Sequence, residues 1–175
     1  MNSLFRLVLV ILILFLPISH GCSGLQVAPT ASQEELVISR VLNIPGKSKA
    51  ILYRRAKIWI AQNYNSANDV IQYSDRQSGT IICRGSMKLF RKSALGPVDV
   101  GYLSYTLTIN IKDSKLRMIF DHFYSYIAPS GPPYNVAGGK QIPLKMDMEY
   151  AKPRIENLVA SLKAFLSGSK NEGSW

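Results

Sequence analysis

Apolar residues recur at two spacings along this chain, and the points where the spacing changes mark its elements. Residues 36–44 form a short run rich in β-branched side chains that ends at Pro45-Gly46, which predicts a first strand closed by a turn. Over 50–64, Leu52, Ala56, Trp59 and Ile60 fall at helical spacing on one face, while Arg54, Arg55 and Lys57 spread over the rest. Ser48 stands where the N-cap of that helix belongs.

Past Asn65-Ser66 the period drops to two. Strands are predicted over 70–74, 80–90, 102–112 and 116–127, with a turn at 75–79, a loop at 91–100 and a tight hairpin at Asp113-Ser114. Ile81, Cys83, Met87 and Leu89 share one face of their strand, and Leu103, Tyr105, Leu107, Ile109 and Ile111 share one face of the next. The opposite faces carry Arg84, Ser86 and Lys88, then Ser104, Thr106, Thr108 and Asn110, as in an antiparallel sheet with one buried and one wet face. Residues 128–143 hold four Pro and three Gly, which makes them a long loop. Pro153 suits the first position of a last helix, whose stripe is Ile155, Leu158, Val159, Leu162 and Phe165. The order is β-α-β-β-β-β-α, an α+β domain over 36–166 in which two helices cover one face of a curved antiparallel sheet.

The N-terminus belongs to no such domain. Arg6 precedes an unbroken apolar run over 7–16, which stops at Pro17 before the small residues Ser19 and Gly21, the order of a cleavable signal sequence over 1–21. The run is shorter than the roughly 20 apolar residues of a spanning helix. Ser19-His20-Gly21-Cys22 resembles the bacterial lipobox, which implies a lipid-modified Cys22 and a chain anchored to an envelope membrane, facing the periplasm. An ordinary cut before Cys22 is the alternative and gives a soluble periplasmic or secreted protein. Residues 22–35 read as a flexible tether, and 167–175 as a frayed tail.

Composition narrows the partners. The formal charge of +10 becomes +9 when Arg6 leaves with the signal, and such a surface favours anionic envelope components over cationic ones. Export takes the chain away from nucleic acid. Of the two cysteines, Cys83 is read as a buried thiol if Cys22 carries lipid, and as its disulfide partner if Cys22 is free.

Pro45-Gly46-Lys47-Ser48 before a helix reading Tyr53-Arg54-Arg55-Ala56-Lys57-Ile58-Trp59, the strand Gly79-Thr80-Ile81-Ile82 and the tyrosine-rich strand over 102–111 resemble a bacterial envelope family of unknown function. The resemblance covers roughly residues 36–166 and implies a fold like the TATA-box-binding protein and an envelope location. It brings no reaction, ligand or catalytic residue, and a shared fold does not carry DNA binding with it.

Candidate chemistry is sparse. The turn at Pro45–Ser48 has the backbone of an anion site but lacks the first glycine of a phosphate loop, Val41 standing in that place, so capping by Ser48 is the simpler account. His122 lies in register with Phe120 and Tyr124, and strand alternation turns the adjacent Asp121 to the other face. Asp147 and Glu149 share a face only if their stretch is extended, and solvated charges are the simpler reading. No cofactor or metal is expected, since no His/Cys/Asp cluster has ligand spacing.

The wet sheet face remains as a ligand surface, with Arg84, Lys88, Thr106, Thr108, Asn110 and Arg117 bordered by the loop around Tyr134. The reading is a non-catalytic binding or scaffold module that meets the membrane through its anchor and takes an anionic envelope component or another envelope protein. Two alternatives stay open: a hydrolase in which His122, Asp121 or the Asp147/Glu149 pair converge, and a homo-oligomer paired through edge strands.

Overall fold

The computed structural model describes residues 28–64, 70–126 and 140–168. The signal sequence, Cys22, the first part of the tether, the turn at Asn65-Ser66, Tyr134 with most of its loop, and the end of the tail lie outside these residues.

The elements are β1 (Ile38–Asn43), α1 (Lys49–Asn63), β2 (Ile71–Asp75), β3 (Thr80–Ser93), β4 (Gly96–Lys112), β5 (Lys115–Tyr126) and α2 (Lys145–Ser167). The strands form one antiparallel sheet in the order β1-β5-β4-β3-β2, so α1 carries the chain from one edge of the sheet to the other. Both helices lie on the same face, and the predicted order and packing are those observed.

Alternation in the central strands puts Ile81, Cys83, Leu103, Leu107, Ile109, Ile111, Met118 and Phe120 in a core where each is at most 1% exposed. Leu52, Ala56, Trp59 and Ile60 of α1 and Met148, Ala151, Ile155 and Leu162 of α2 close it from above. The Trp59 indole N–H donates to Ser161 Oγ at 3.1 Å, giving the one polar atom of that ring a partner between the helices. Close packing reaches the backbone at Gly85, where an added Cβ would stand 2.4 Å from the Tyr105 ring. Tyr105 thereby lies flat across β3 and meets the Tyr64 hydroxyl at 3.2 Å. Among the described residues no helix is long and apolar enough to cross a membrane.

Three local expectations are overturned. Residues 91–100 are not a loop: β3 and β4 run on and turn at Ser93–Gly96, where Ser93 Oγ donates to the Gly96 carbonyl at 2.8 Å and accepts the Leu95 N–H at 3.2 Å. Pro97 is tolerated there because, among the described residues, no strand neighbours the outer edge of β4 past Tyr102, so no ladder bond is lost on that side. The last helix begins at Lys145 rather than Pro153. Pro153 and Glu149 are exposed, so the Glu149 carbonyl that the proline ring deprives of a donor is on the solvent side. Arg55 is buried at 5% exposure instead of solvated: its guanidinium donates to the Phe165 carbonyl near the end of α2 and sits 5.0 Å from the Phe165 ring centre.

The described part of the predicted tether is held. Ala31 N–H donates to the Pro143 carbonyl at 2.8 Å, Lys145 N–H to the Pro29 carbonyl at 2.9 Å, and Thr30 bridges Leu144.

Candidate functional site

Sheet register assembles the polar face in rows. Arg84 of β3 stands opposite Thr106 of β4, which stands opposite Asp121 of β5; the next rows are Ser86, Ser104 and Tyr124, then Lys88, Tyr102 and Tyr126. On the other side of the Arg84 row lie Ile82, Thr108 and Ile119.

One irregularity changes what these rows present. Between Ser104 and Thr106 the register of β4 and β5 slips, so that His122 and Phe123 together face Tyr105. This is a β-bulge, and His122 takes a left-handed conformation there, with φ of 51°. The parity of β5 inverts beyond it. Phe123 turns into the core at 6% exposure, and Tyr124 and Tyr126 come onto the polar face. His122 no longer opposes Asp121; its Nδ1 lies 2.7 Å from Asp121 Oδ1, with the imidazole 79% exposed. The expectation that alternation separates these two side chains is therefore wrong. The sequence held a signal for it, since the apolar residues Leu116, Met118 and Phe120 are followed by Phe123 at a spacing of three.

The bulge borders a depression of about 540 Å³ lined by Arg84, Thr106, Thr108, Asp121, His122 and Tyr124, among others. Its outer wall includes Lys140, held there because Ser125 and Gln141 exchange two backbone hydrogen bonds of 3.0 Å. The Lys140 ammonium is 4.6 Å from the Tyr124 ring centre. Tyr126 stacks on Tyr102 at 5.4 Å with an interplanar angle of 15°, and Tyr124 leans on Tyr126 at 6.0 Å. Lys88 Nζ stands 5.8 Å from the Tyr102 ring centre and 3.6 Å from Asp99. The result is a shelf of three half-buried tyrosines edged by cations, running out of a hydroxyl-lined hollow. Sequence reading missed the shelf, because its spacing on β5 makes sense only once the bulge is known.

The predicted surface residues thus separate. Arg84, Thr106 and Thr108 share the hollow, and Lys88 sits at the far end of the shelf. Asn110 and Arg117 line a different depression of about 490 Å³ toward the Asp113 turn, where Thr80 Oγ1 donates to Asn110 Oδ1 at 3.3 Å.

The remaining candidates are accounted for structurally. Ser48 Oγ accepts the Ile51 N–H, and the Lys49 N–H at the same helix start donates to Asp113 Oδ1 at 2.6 Å. The anion position at the start of α1 is thus occupied by a carboxylate of the chain itself. Asp147 and Glu149 do not pair: both are in α2, where Glu149 is exposed and Asp147 is buried at 4%. Nor is Asp147 a solvated charge, since it accepts the Leu144 N–H at 3.0 Å and faces Arg91 at 3.2 Å. Cys83 is a free thiol on the core face, its pKa pushed up to about 12 by burial, which removes it as a nucleophile for the hollow. Among the described residues no His, Cys, Asp and Glu cluster suits a metal ion.

The comparisons with known proteins agree with the sheet just described. A family model described as "Domain of unknown function (DUF4468) with TBP-like fold" matches residues 39–126, which is 88 of the 175 residues. The chain belongs to this family. The DUF4468 match takes in all of α1 and the five strands, save the first residue of β1, and ends before α2. Among solved structures, a DUF4468 family protein from Bacteroides ovatus ATCC 8483 is 18% identical with a TM-score of 0.53, covering 83% of this chain and 94% of its own. A TBP-like protein from Parabacteroides distasonis ATCC 8503 is 13% identical with a TM-score of 0.57, covering 81% of this chain and 99% of its own. At such identities they share the fold. No curated protein matches the chain.

Proposed function

We propose that the chain is a non-catalytic binding module of the bacterial envelope, anchored through a lipid on Cys22, whose polar sheet face takes an anionic glycan. The observation that carries the ligand class is the shelf of Tyr102, Tyr124 and Tyr126 edged by Lys88 and Lys140 and opening into the Arg84 hollow. Tyrosine faces offer flat apolar area to the C–H faces of sugar rings, and the cations supply charge-assisted bonds to carboxylates or phosphates. The threonine hydroxyls donate and accept toward sugar hydroxyls.

Calorimetry with an oligosaccharide of uronic acids tests this reading. Binding that falls about tenfold or more in Arg84→Ala and in Tyr124→Ala is expected, with a neutral oligosaccharide of equal length binding more weakly. Equal heats for wild type and both variants would sink it. Mass spectrometry of the protein from a membrane fraction tests the anchor: a diacylglyceryl mass on Cys22 supports it, and an unmodified soluble chain refutes it.

A second reading has one observation in its favour. Asp121 orients His122 at the rim of the hollow, as a general base is oriented for activating water. A hydrolase of envelope glycan would lose turnover in His122→Ala while still binding its substrate.

A further inference from the structure

The end of the molecule away from the Asp113 turn gathers features that the polar face leaves unused. Past Leu89 and Gly101, β3 and β4 pair only with each other among the described residues, the last β5 pair being Tyr126 opposite Tyr102. They form a two-stranded arm whose tip residue Leu95 is 101% exposed, with Phe90 at 42% and Val98 at 48%. Arg91 reaches from the arm to Asp147, so the start of α2 lies at the same end and adds the exposed Ile142 and Met146.

Cations accompany these apolar residues. Over residues 88–101, Lys88, Arg91 and Lys92 stand against one carboxylate, Asp99, and Lys145 is exposed beside Met146. Three of the nearby acids are engaged, Asp99 with Lys88, Asp147 with Arg91 and Glu35 with the Ser32 N–H, while Glu34 and Glu149 are exposed. The chain also enters the domain here, since Pro29 and Thr30 bond to Lys145 and Leu144.

We infer that this end of the molecule docks on an anionic lipid surface, with Leu95 and its apolar neighbours in the headgroup region and Lys92 and Lys145 against lipid phosphates. Exposed apolar side chains interleaved with cations are what interfacial binding requires. Seven residue steps separate Cys22 from Pro29, and no conformation spans more than roughly 25 Å over them. A lipid on Cys22 therefore holds this end, ahead of the opposite one, within reach of the bilayer. The leash rests on the envelope reading of the previous section; the contact rests on the arm.

The test uses the full chain as its host cell leaves it, purified from membranes in detergent and reconstituted with vesicles. A fluorophore is attached through Ala94→Cys at the arm tip or Ser78→Cys at the opposite end. The unsubstituted chain serves as the labelling blank, Cys83 being buried. Vesicles are phosphatidylcholine alone or with phosphatidylglycerol, and carry spin-labelled lipid as quencher. Strong quenching at residue 94 in the anionic vesicles, weak quenching at residue 78, and a drop of about tenfold in tip quenching on adding Leu95→Asp are expected. A chain that co-sediments with vesicles while both labels stay unquenched overturns the docking and leaves the anchor standing. A chain that sediments with neither vesicle overturns both. Shielding of residue 94 that grows with protein concentration and needs no vesicles makes the occupant a second copy, and also overturns it.

Discussion

Asp75 shows how single polar residues fix the turns between these strands. Its Oδ1 accepts the Gln77 N–H at 2.9 Å and its Oδ2 the Ser78 N–H at 3.0 Å, so one carboxylate closes the β2–β3 turn. The Ser78 hydroxyl, then the Ser78 and Gln77 backbone donors, hold this carboxyl below its ordinary value of 3.8. The sign follows from the lowered folded value. The contribution is complete above the unfolded pKa and is lost as pH falls through the folded one. Asp75→Asn is expected to be less stable than wild type at neutral pH. Its urea midpoint should also fall less steeply between about pH 5 and about pH 2. Parallel midpoint curves for the two proteins would show that the turn does not depend on the charge.

At the scale of elements, Asp147 ties the arm to the second helix. It caps α2 by accepting the Leu144 N–H while Arg91 of β3 lies against its other oxygen. The Arg91 side chain is 44% exposed, so the ion pair itself contributes little, and the buried carboxylate's hydrogen bond to the helix start matters more. Asp147→Ala is expected to cost about 2 kcal/mol in urea unfolding. Arg91→Ala should cost about 0.5 kcal/mol. Amide exchange in the first turn of α2 should quicken in the first variant and not in the second.

These same elements show which parts of the fold could be read in advance. The order of elements along the chain, the α1 face and the Asp113-Ser114 hairpin follow from apolar period and turn chemistry, which act locally. The arm did not, because Gly96-Pro97 carries loop chemistry and a strand is acceptable there only on an edge, which is where the described residues place it. Pro153 read as a helix start because its cost inside a helix is set by whether the freed carbonyl faces water. Arg84, Thr106 and Thr108 were placed correctly by alternation. Tyr124, Tyr126 and the Asp121–His122 contact were not, since a one-residue bulge reverses the parity on which alternation rests.

At the scale of the whole molecule, a formal charge of +10 would attract any polyanion, so attraction alone does not identify the polar face as the site. Ionic strength separates the two contributions. Raising salt from about 0.05 M to about 0.5 M shortens the screening length from roughly 14 Å to roughly 4 Å, which weakens contacts of exposed cations such as Arg84 and Lys140. Contact with the faces of Tyr102, Tyr124 and Tyr126 does not depend on charge. Affinity for an oligosaccharide of uronic acids is therefore expected to fall with salt toward a non-zero limit. Arg84→Ala combined with Lys140→Ala should flatten the salt dependence while approaching the same limit. Tyr124→Ala should lower affinity by a similar factor, about tenfold, at every salt concentration. A control pair on the far side of the molecule, Arg54→Ala with Lys57→Ala, should leave the curve unchanged, because those α1 side chains lie on the helical layer behind the sheet. If the control pair flattens the curve as much as Arg84 and Lys140 do, the attraction belongs to the net charge and the tyrosine shelf is not the binding face.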